Sequence, residues 1–186
     1  MKKNIIFIMD VDLQGSTHES LAHRYSDSRR TPYKYSISSW EKWASKNNAE
    51  VFVLNDALMP NKDMGICWQR YYLFDILEAN EIEYNQIAMV DADTIIHPDT
   101  PNFFELTDNK FTGVFCDASY DWIIRSVENY SKYAFEGFMP DIFKYIDCGF
   151  MVVNKEHKEF FTKITNFYHQ NSDLLREIET KLHGGT

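Results

Sequence analysis

The stretch Gln86-Ile87-Ala88-Met89-Val90-Asp91-Ala92-Asp93-Thr94-Ile95-Ile96 constrains this chain more than any other. A short, nearly continuous apolar run reads as a strand buried on both faces. Two carboxylates spaced one residue apart interrupt it, and apolar residues then resume. Alternate residues of an extended chain share a face, so the spacing predicts that Asp91 and Asp93 project together from the end of a buried strand. Carboxylates held that close raise each other's pKa in a partly dry site. A divalent cation removes the repulsion, because hard cations take oxygen ligands, and Mg2+ is usually held by one or two carboxylates together with substrate phosphates. The plain alternative is an acidic strand-to-loop turn with both groups in water.

The same pattern recurs along the chain. Ile5-Ile6-Phe7-Ile8-Met9 reads as a first strand and ends in Asp10-Val11-Asp12. Val51-Phe52-Val53-Leu54 stops at Asn55-Asp56, and Thr112-Gly113-Val114-Phe115-Cys116 runs into Asp117. Phe150 to Asn154 makes a fifth strand behind Asp147-Cys148-Gly149. Between these runs the apolar residues switch to a helical period. Ile37, Trp40 and Ala44 mark one helix, with Ser36 and Ser38 as candidate caps. Ile66, Leu73, Phe74 and Leu77 mark a second, from about Gly65 to Ala79. Phe160, Phe161, Ile164, Phe167 and Tyr168 form a third stripe, and Leu174, Leu175, Ile178 and Leu182 a fourth. Asn102 to Leu106 reads as a short helix. Residues 117–140 are rich in aromatics and show no clean period. Strands alternating with helices predict an α/β layer fold with a mostly parallel sheet. Ligands of such sheets bind beyond the carboxyl ends of the strands. Asp12, Asp56, Asp93 and Asp117 all fall at or just past predicted strand ends, which would set four acids along one rim.

Length and charge narrow the classes. At 186 residues the chain suffices for one domain with a sizeable core, and no linker, repeat or low-complexity tract divides residues 1–186. A net charge of −9 argues against a nucleic-acid surface. A phosphorylated ligand would then need a metal or a local basic spot. One such spot is Arg24, Arg29, Arg30 and Lys34 within the irregular segment 13–35, read either as a solvated loop or as a flap over an anion. Cys67, Cys116 and Cys148 fit no zinc spacing and read as reduced, mostly buried thiols of a cytoplasmic protein. No stretch is long enough to span a bilayer, and the N-terminal apolar run is too short for a signal peptide. The histidines show no metal spacing and read as surface residues. The aromatic stretch from Tyr120 to Phe138 reads as core or as the face of a homodimer.

Three blocks in order carry a family likeness. Ile66-Cys67-Trp68-Gln69-Arg70-Tyr71-Tyr72-Leu73-Phe74-Asp75-Ile76-Leu77, then Met89-Val90-Asp91-Ala92-Asp93-Thr94-Ile95-Ile96, then Phe104-Glu105-Leu106, resemble glycosyltransferases of the GT-A fold. The nearest likeness is to family 8, the glycogenin and galactosyltransferase group. Tyr145 to Asn154 resembles that family's Asn-(Ser/Ala)-Gly-x-x-x-x-Asn segment. The resemblance implies a single Rossmann-like domain that moves a sugar from a nucleotide-diphosphate donor, UDP-linked in most cases, to a glycan, lipid or protein acceptor. It implies Mn2+ or Mg2+ held by Asp91 and Asp93, with Asp91 and Ala92 also beside the donor. It places Arg70 on the helix that reaches the donor, Asp10 and Asp12 at the nucleotide, and Asp147, Cys148 and Gly149 along the sugar and acceptor side. Asp147 and Asp117 are the carboxylates assigned to catalysis, facing the oxocarbenium-like sugar. Retention of anomeric configuration follows from the likeness alone.

The chain departs from the family in two ways. Asp147 stands where the family has Asn. The late His-Gly-x-x-Lys-Pro-Trp segment and the Asp-Gln pair of a later helix are missing, with His183-Gly184-Gly185 a faint echo of the first. A C-terminally shortened chain, or a nucleotide-sugar binder without turnover, is therefore an alternative. Asp10-Val11-Asp12 after an apolar strand also resembles haloacid-dehalogenase-like phosphatases, with Asp10 as nucleophile and Asp12 as general acid.

Overall fold

In the computed structural model of the chain, residues 2–11, 32–116 and 119–179 are described. The apolar runs form strands because helices cover both of their faces. These are β1 (Lys3–Met9), β2 (Ala49–Leu54), β3 (Tyr84–Val90), β4 (Thr112–Phe115) and β5 (Ile146–Asn154). They make one sheet in the order β2-β1-β3-β5-β4. β1 pairs in parallel with β2 and β3, and β5 runs antiparallel to β3 and β4. The sheet is thus mostly parallel with one reversed strand. Successive strand side chains take opposite faces, and the core divides accordingly. Ile5, Phe7, Ile87, Met89, Met151 and Val153 pack one way, against Leu73, Phe74, Leu77 and Phe161. Ile6, Ile8, Ala88, Val90 and Val152 pack the other way, against Trp40, Trp43, Ala44 and Phe104. The second face is held in place by polar contacts as well. The Trp43 indole stacks on Phe103 at 4.5 Å and donates to the Thr100 carbonyl at 2.8 Å.

Several helices differ from the sequence expectation for identifiable reasons. α1 spans Tyr33–Lys46, so Ser36 is not a cap but a buried residue of its first turns, its hydroxyl without a partner. The expected helix from Gly65 to Ala79 is three pieces: α2 (Ile66–Gln69), a 3-10 turn (Arg70–Tyr72) and α3 (Leu73–Ala79). A buried amide fixes the first of them. The Gln69 side chain accepts from Leu58 N at 2.8 Å and donates to the Met59 and Met64 carbonyls at 2.9 and 2.7 Å. A fully buried polar side chain is tolerable only when satisfied in this way, and the result is a pinned 58–64 loop.

The aromatic segment without a period contains a 15-residue helix, α4 (Tyr120–Ala134). Its inner positions are Ile123, Ser126, Val127 and Ser131, which do follow helical spacing. Two of the four are Ser, so an apolar scan misses the stripe. Its aromatics divide: Tyr120 and Tyr133 are exposed, as are Phe135 and Phe138 just beyond it, whereas Tyr130 packs against the Met64, Tyr168 and Leu175 cluster. α5 (Lys158–Glu177) joins the last two stripes, up to Leu175, through a kink at Asn171. The short helix expected over 102–106 is a 3-10 turn, Phe103–Glu105.

Candidate functional site

The antiparallel pairing of β5 with β3 builds the site. Val90 faces Phe150, so the residue after β3, Asp91, lies beside Gly149, and its amide donates to the Gly149 carbonyl at 3.0 Å. Asp147, Cys148 and Gly149 therefore reach the carboxyl end of β3 as part of β5 itself, not as a loop ahead of it. Gly149 has no Cβ to separate its neighbours. A methyl group there would sit 2.9 Å from both Asp147 Oδ1 and Asp91 Oδ2. The two carboxylates thus flank one glycine. Asp147 is fixed by accepting the Gly149 amide N–H.

One cation stands against this negative charge. Arg70, in the 3-10 turn before α3, donates through Nη1 to Asp91 Oδ1 at 2.7 Å and to the Cys148 carbonyl at 3.1 Å. Burial works against its charge, and Asp91 together with Cys67, Tyr71 and Cys148 more than offsets that, so the guanidinium is held above its ordinary pKa. Among the described residues its buried Nε has no hydrogen-bond partner. The adjacent Tyr71 hydroxyl lies 3.1 Å from Cys148 Sγ. Burial, followed by the thiol, pushes Tyr71 well above the usual phenol value. Burial likewise raises Cys148, opposed by the Tyr71 contact and Arg70. The residue Cys148 is exposed overall, yet its sulfur is packed among these groups. Tyr71 was not singled out from the sequence, although its place next to Arg70 was the available signal.

Asp91 and Asp93 are not alternate residues of a strand. β3 ends at Val90, and a turn follows in which Thr94 donates to the Asp91 carbonyl through N at 3.2 Å and Oγ1 at 2.7 Å. The Trp40 indole donates to the same hydroxyl at 3.2 Å. The hydroxyl of Thr94 competes for the backbone and closes the turn. Ala92 consequently points into the core beside Trp40 and Ile96, leaving only its backbone for a ligand. Asp93 is exposed, and none of the described residues forms a hydrogen bond or ion pair with its carboxylate.

The remaining expectations separate. Asp10 follows β1 and donates its amide to the Leu54 carbonyl at 3.0 Å, and Asp56 is exposed beyond β2. Asp12, Asp117, His183 and the Arg24, Arg29 and Arg30 group lie outside the described residues. Lys34 belongs to α1 and stands over the Tyr35 ring. The cysteines are free but not mostly buried: Cys67 and Cys148 are exposed. Two histidines are structural. His157 Nδ1 accepts the Asn154 amide, and His169 Nε2 meets the Tyr72 hydroxyl at 2.6 Å. Among the described residues no group of three His, Cys, Asp or Glu could hold a metal ion by itself. No described helix is long and apolar enough to cross a membrane.

No protein-family model matches the chain, and neither does any curated protein sequence. Among solved structures, the fold is similar to that of a glycosyltransferase involved in the glycosylation of the major capsid of PBCV-1. The TM-score is 0.53 over 96% of this chain and 75% of that one, at 10% identity. At that identity the likeness is one of fold: an α/β domain with a mixed, mostly parallel open sheet flanked by helices.

Proposed function

We propose that this chain is a metal-dependent glycosyltransferase that takes a sugar from a nucleotide-diphosphate donor. A UDP-sugar is the donor we favour, and the acceptor is a glycan, a lipid or a protein. One observation carries the reading. At the carboxyl end of β3, Asp91 is held by Arg70 and faces Asp147 across Gly149, with the exposed Asp93 two residues on. That is the end of an α/β sheet at which ligands bind, and the sheet belongs to a fold shared with a glycosyltransferase.

The donor set suits Mn2+ or Mg2+. It consists of carboxylate oxygens only, and too few of them to complete a shell without substrate phosphates and water. Asp93 and the Asp91 oxygen not engaged by Arg70 would hold the cation. When bound, it would stabilise negative charge on the departing diphosphate. The chain's own groups do the rest. Arg70 fixes the orientation of the Asp91 carboxylate. The missing side chain at Gly149 lets the Asp91 and Asp147 carboxylates come together at one place. Asp147, one oxygen tied to the Gly149 amide, presents its other oxygen to the positive charge that develops as the glycosidic bond breaks. Family resemblance supports retention of configuration, and the three free cysteines support a cytoplasmic setting. The exposed Val114 and Phe115 on the edge strand β4 suit a homodimer.

The test is thermal shift with UDP and UDP-sugars, with and without Mn2+, followed by assay of UDP release. The wild type should show a metal-dependent shift and turnover. Asp93→Asn should lose the metal-dependent part while the unliganded melting temperature stays within the error. No shift and no UDP release would end the proposal. A metal-dependent shift without turnover would make the chain a non-catalytic nucleotide-sugar binder. Hydrolysis of p-nitrophenyl phosphate would move the chemistry to Asp10.

A further inference from the structure

The opposite end of the sheet holds a cleft of about 450 Å³. This lies within the roughly 300–1,000 Å³ of small-molecule sites. It is lined by Asn4, Asn47, Asn48, Asn85, Gln86 and Asn102, with Asn109, Glu105 and Asp108 nearby and Phe104 as the apolar element. Amides from four separate parts of the chain meet there: the start of β1, the end of α1, the start of β3 and the 102–109 segment. Structural duties account for some of them. Asn4 Oδ1 accepts from Asn85 Nδ2 at 3.0 Å and from Gln86 N at 3.2 Å. Gln86 is satisfied by Phe104 O and Thr107 Oγ1, and Asn47 Nδ2 caps α1 on Trp43 O.

The others have unused capacity. Among the described residues the side-chain amides of Asn48 and Asn109 have no partner, and neither does Asn85 Oδ1. Asn102 donates to Glu105 at 2.7 Å, but its own Oδ1 is buried with no donor. A buried acceptor without a donor costs stability; the amides of Asn48, Asn85 and Asn109 are the exposed ones that a ligand reaches. Each amide offers donors and an acceptor side by side. Such an array matches neighbouring hydroxyls, each of which also donates and accepts. It lacks the cationic side chains that a phosphate would call for.

We propose that this cleft binds carbohydrate hydroxyls, as a glycan-holding site remote from the Asp91 end. The strands rise about 3.3 Å per residue, so Gln86 and Asp91 lie roughly 15 Å or more apart along β3. One monosaccharide cannot occupy both places. The cleft would grip a distal part of a long glycan or a separate chain. The proposal stands whether or not the Asp91 end transfers sugar.

The test is retention of the full chain on a printed array of unmodified oligosaccharides, then calorimetry with the strongest binder. The comparison is between wild type, Asn48→Gly/Asn85→Ala/Asn109→Gly and Asp93→Asn. Glycine is chosen at 48 and 109 because those residues have φ of 51° and 55°, where an alanine would be strained. Asn85→Ala alone serves as a milder second variant. Wild type and Asp93→Asn should bind at least one oligosaccharide alike, the triple variant at least ten-fold more weakly, and Asn85→Ala in between. The Asn85 side-chain amide NMR signals should move on titration. No binding by wild type, or binding unaffected by both amide variants, overturns the proposal. Loss in Asp93→Asn with the amide variants intact would assign the glycan to the Asp91 end instead.

Discussion

At the carboxyl end of β3 the chain gathers acidic and basic side chains: Arg70, Asp91, Asp93 and Asp147. At the opposite ends of β1 and β3 it places Asn4, Asn85 and Gln86, joined by Asn48, Asn102 and Asn109. The first set suits a charged ligand, because a diphosphate and its cation need opposite charge close by. The second suits a neutral ligand rich in hydroxyls, because an amide can give and take hydrogen bonds without the desolvation cost of an ion. The difference also shows what each end costs the fold. The charged end depends on one pairing and one glycine, whereas the amide end is a mesh of small contacts.

The largest expected effect separates the ends most sharply. Arg70→Ala leaves Asp91 and Asp147 on either side of Gly149 with no counter-charge. Urea unfolding should show a loss of about 2 kcal/mol, the size of a hydrogen bond to a charged group. Turnover of a UDP-sugar should fall about 100-fold or more. Retention on the oligosaccharide array should not change. Arg70→Lys should recover only part, since it restores a point charge without the planar fork. Equal loss at both ends would show that they are not independent.

Gly149→Ala comes next. Its new methyl group must displace the Asp91 and Asp147 oxygens that stand 2.9 Å from its position. A drop in turnover of about ten-fold or more is expected from misplaced groups, with a melting temperature a few degrees lower. An alanine variant with wild-type activity would remove the close approach from the site's design.

The smallest effect concerns Glu179, beside the charged end, which accepts from the Trp68 indole at 2.5 Å. Burial raises its pKa above the ordinary 4.5, against the Trp68 bond and Arg176. A raised carboxyl pKa means that the unfolded chain gives up this proton more readily. The linked stability is therefore full below pH 4.5 and is lost as pH rises through the folded value. Glu179→Gln keeps an oxygen for Trp68 and removes the charge. Its melting temperature should exceed that of the wild type at pH 7 by about 1–2 °C, with the gain shrinking toward pH 4. A gain that is the same at both values would place the effect outside this carboxyl.

The strand pattern and the Asp91 neighbourhood were legible because burial on both faces demands unbroken apolar runs, which these strands carry up to an acidic end. α4 was not, since Ser126 and Ser131 fill its inner face. A serine carries no hydropathy signal, although it packs well where space is short. The break at Arg70–Tyr72 was equally hidden, because the residues there are ordinary helix formers by composition. Alternation predicted that Asp91 and Asp93 would be alternate residues of one strand, and the Thr94 hydroxyl closes a turn there instead.

The sequence by itself determined an α/β layer fold, the strands at its centre and an acidic end to β3. These follow from local periodicity, which each segment carries alone. Only the tertiary structure decided that β5 runs backwards beside β3, that Arg70 reaches Asp91, and that the amides of four distant segments share one cleft. Those facts depend on which segments become neighbours. Neighbourhood across a sheet is settled by the packing of whole faces, which no single stretch encodes.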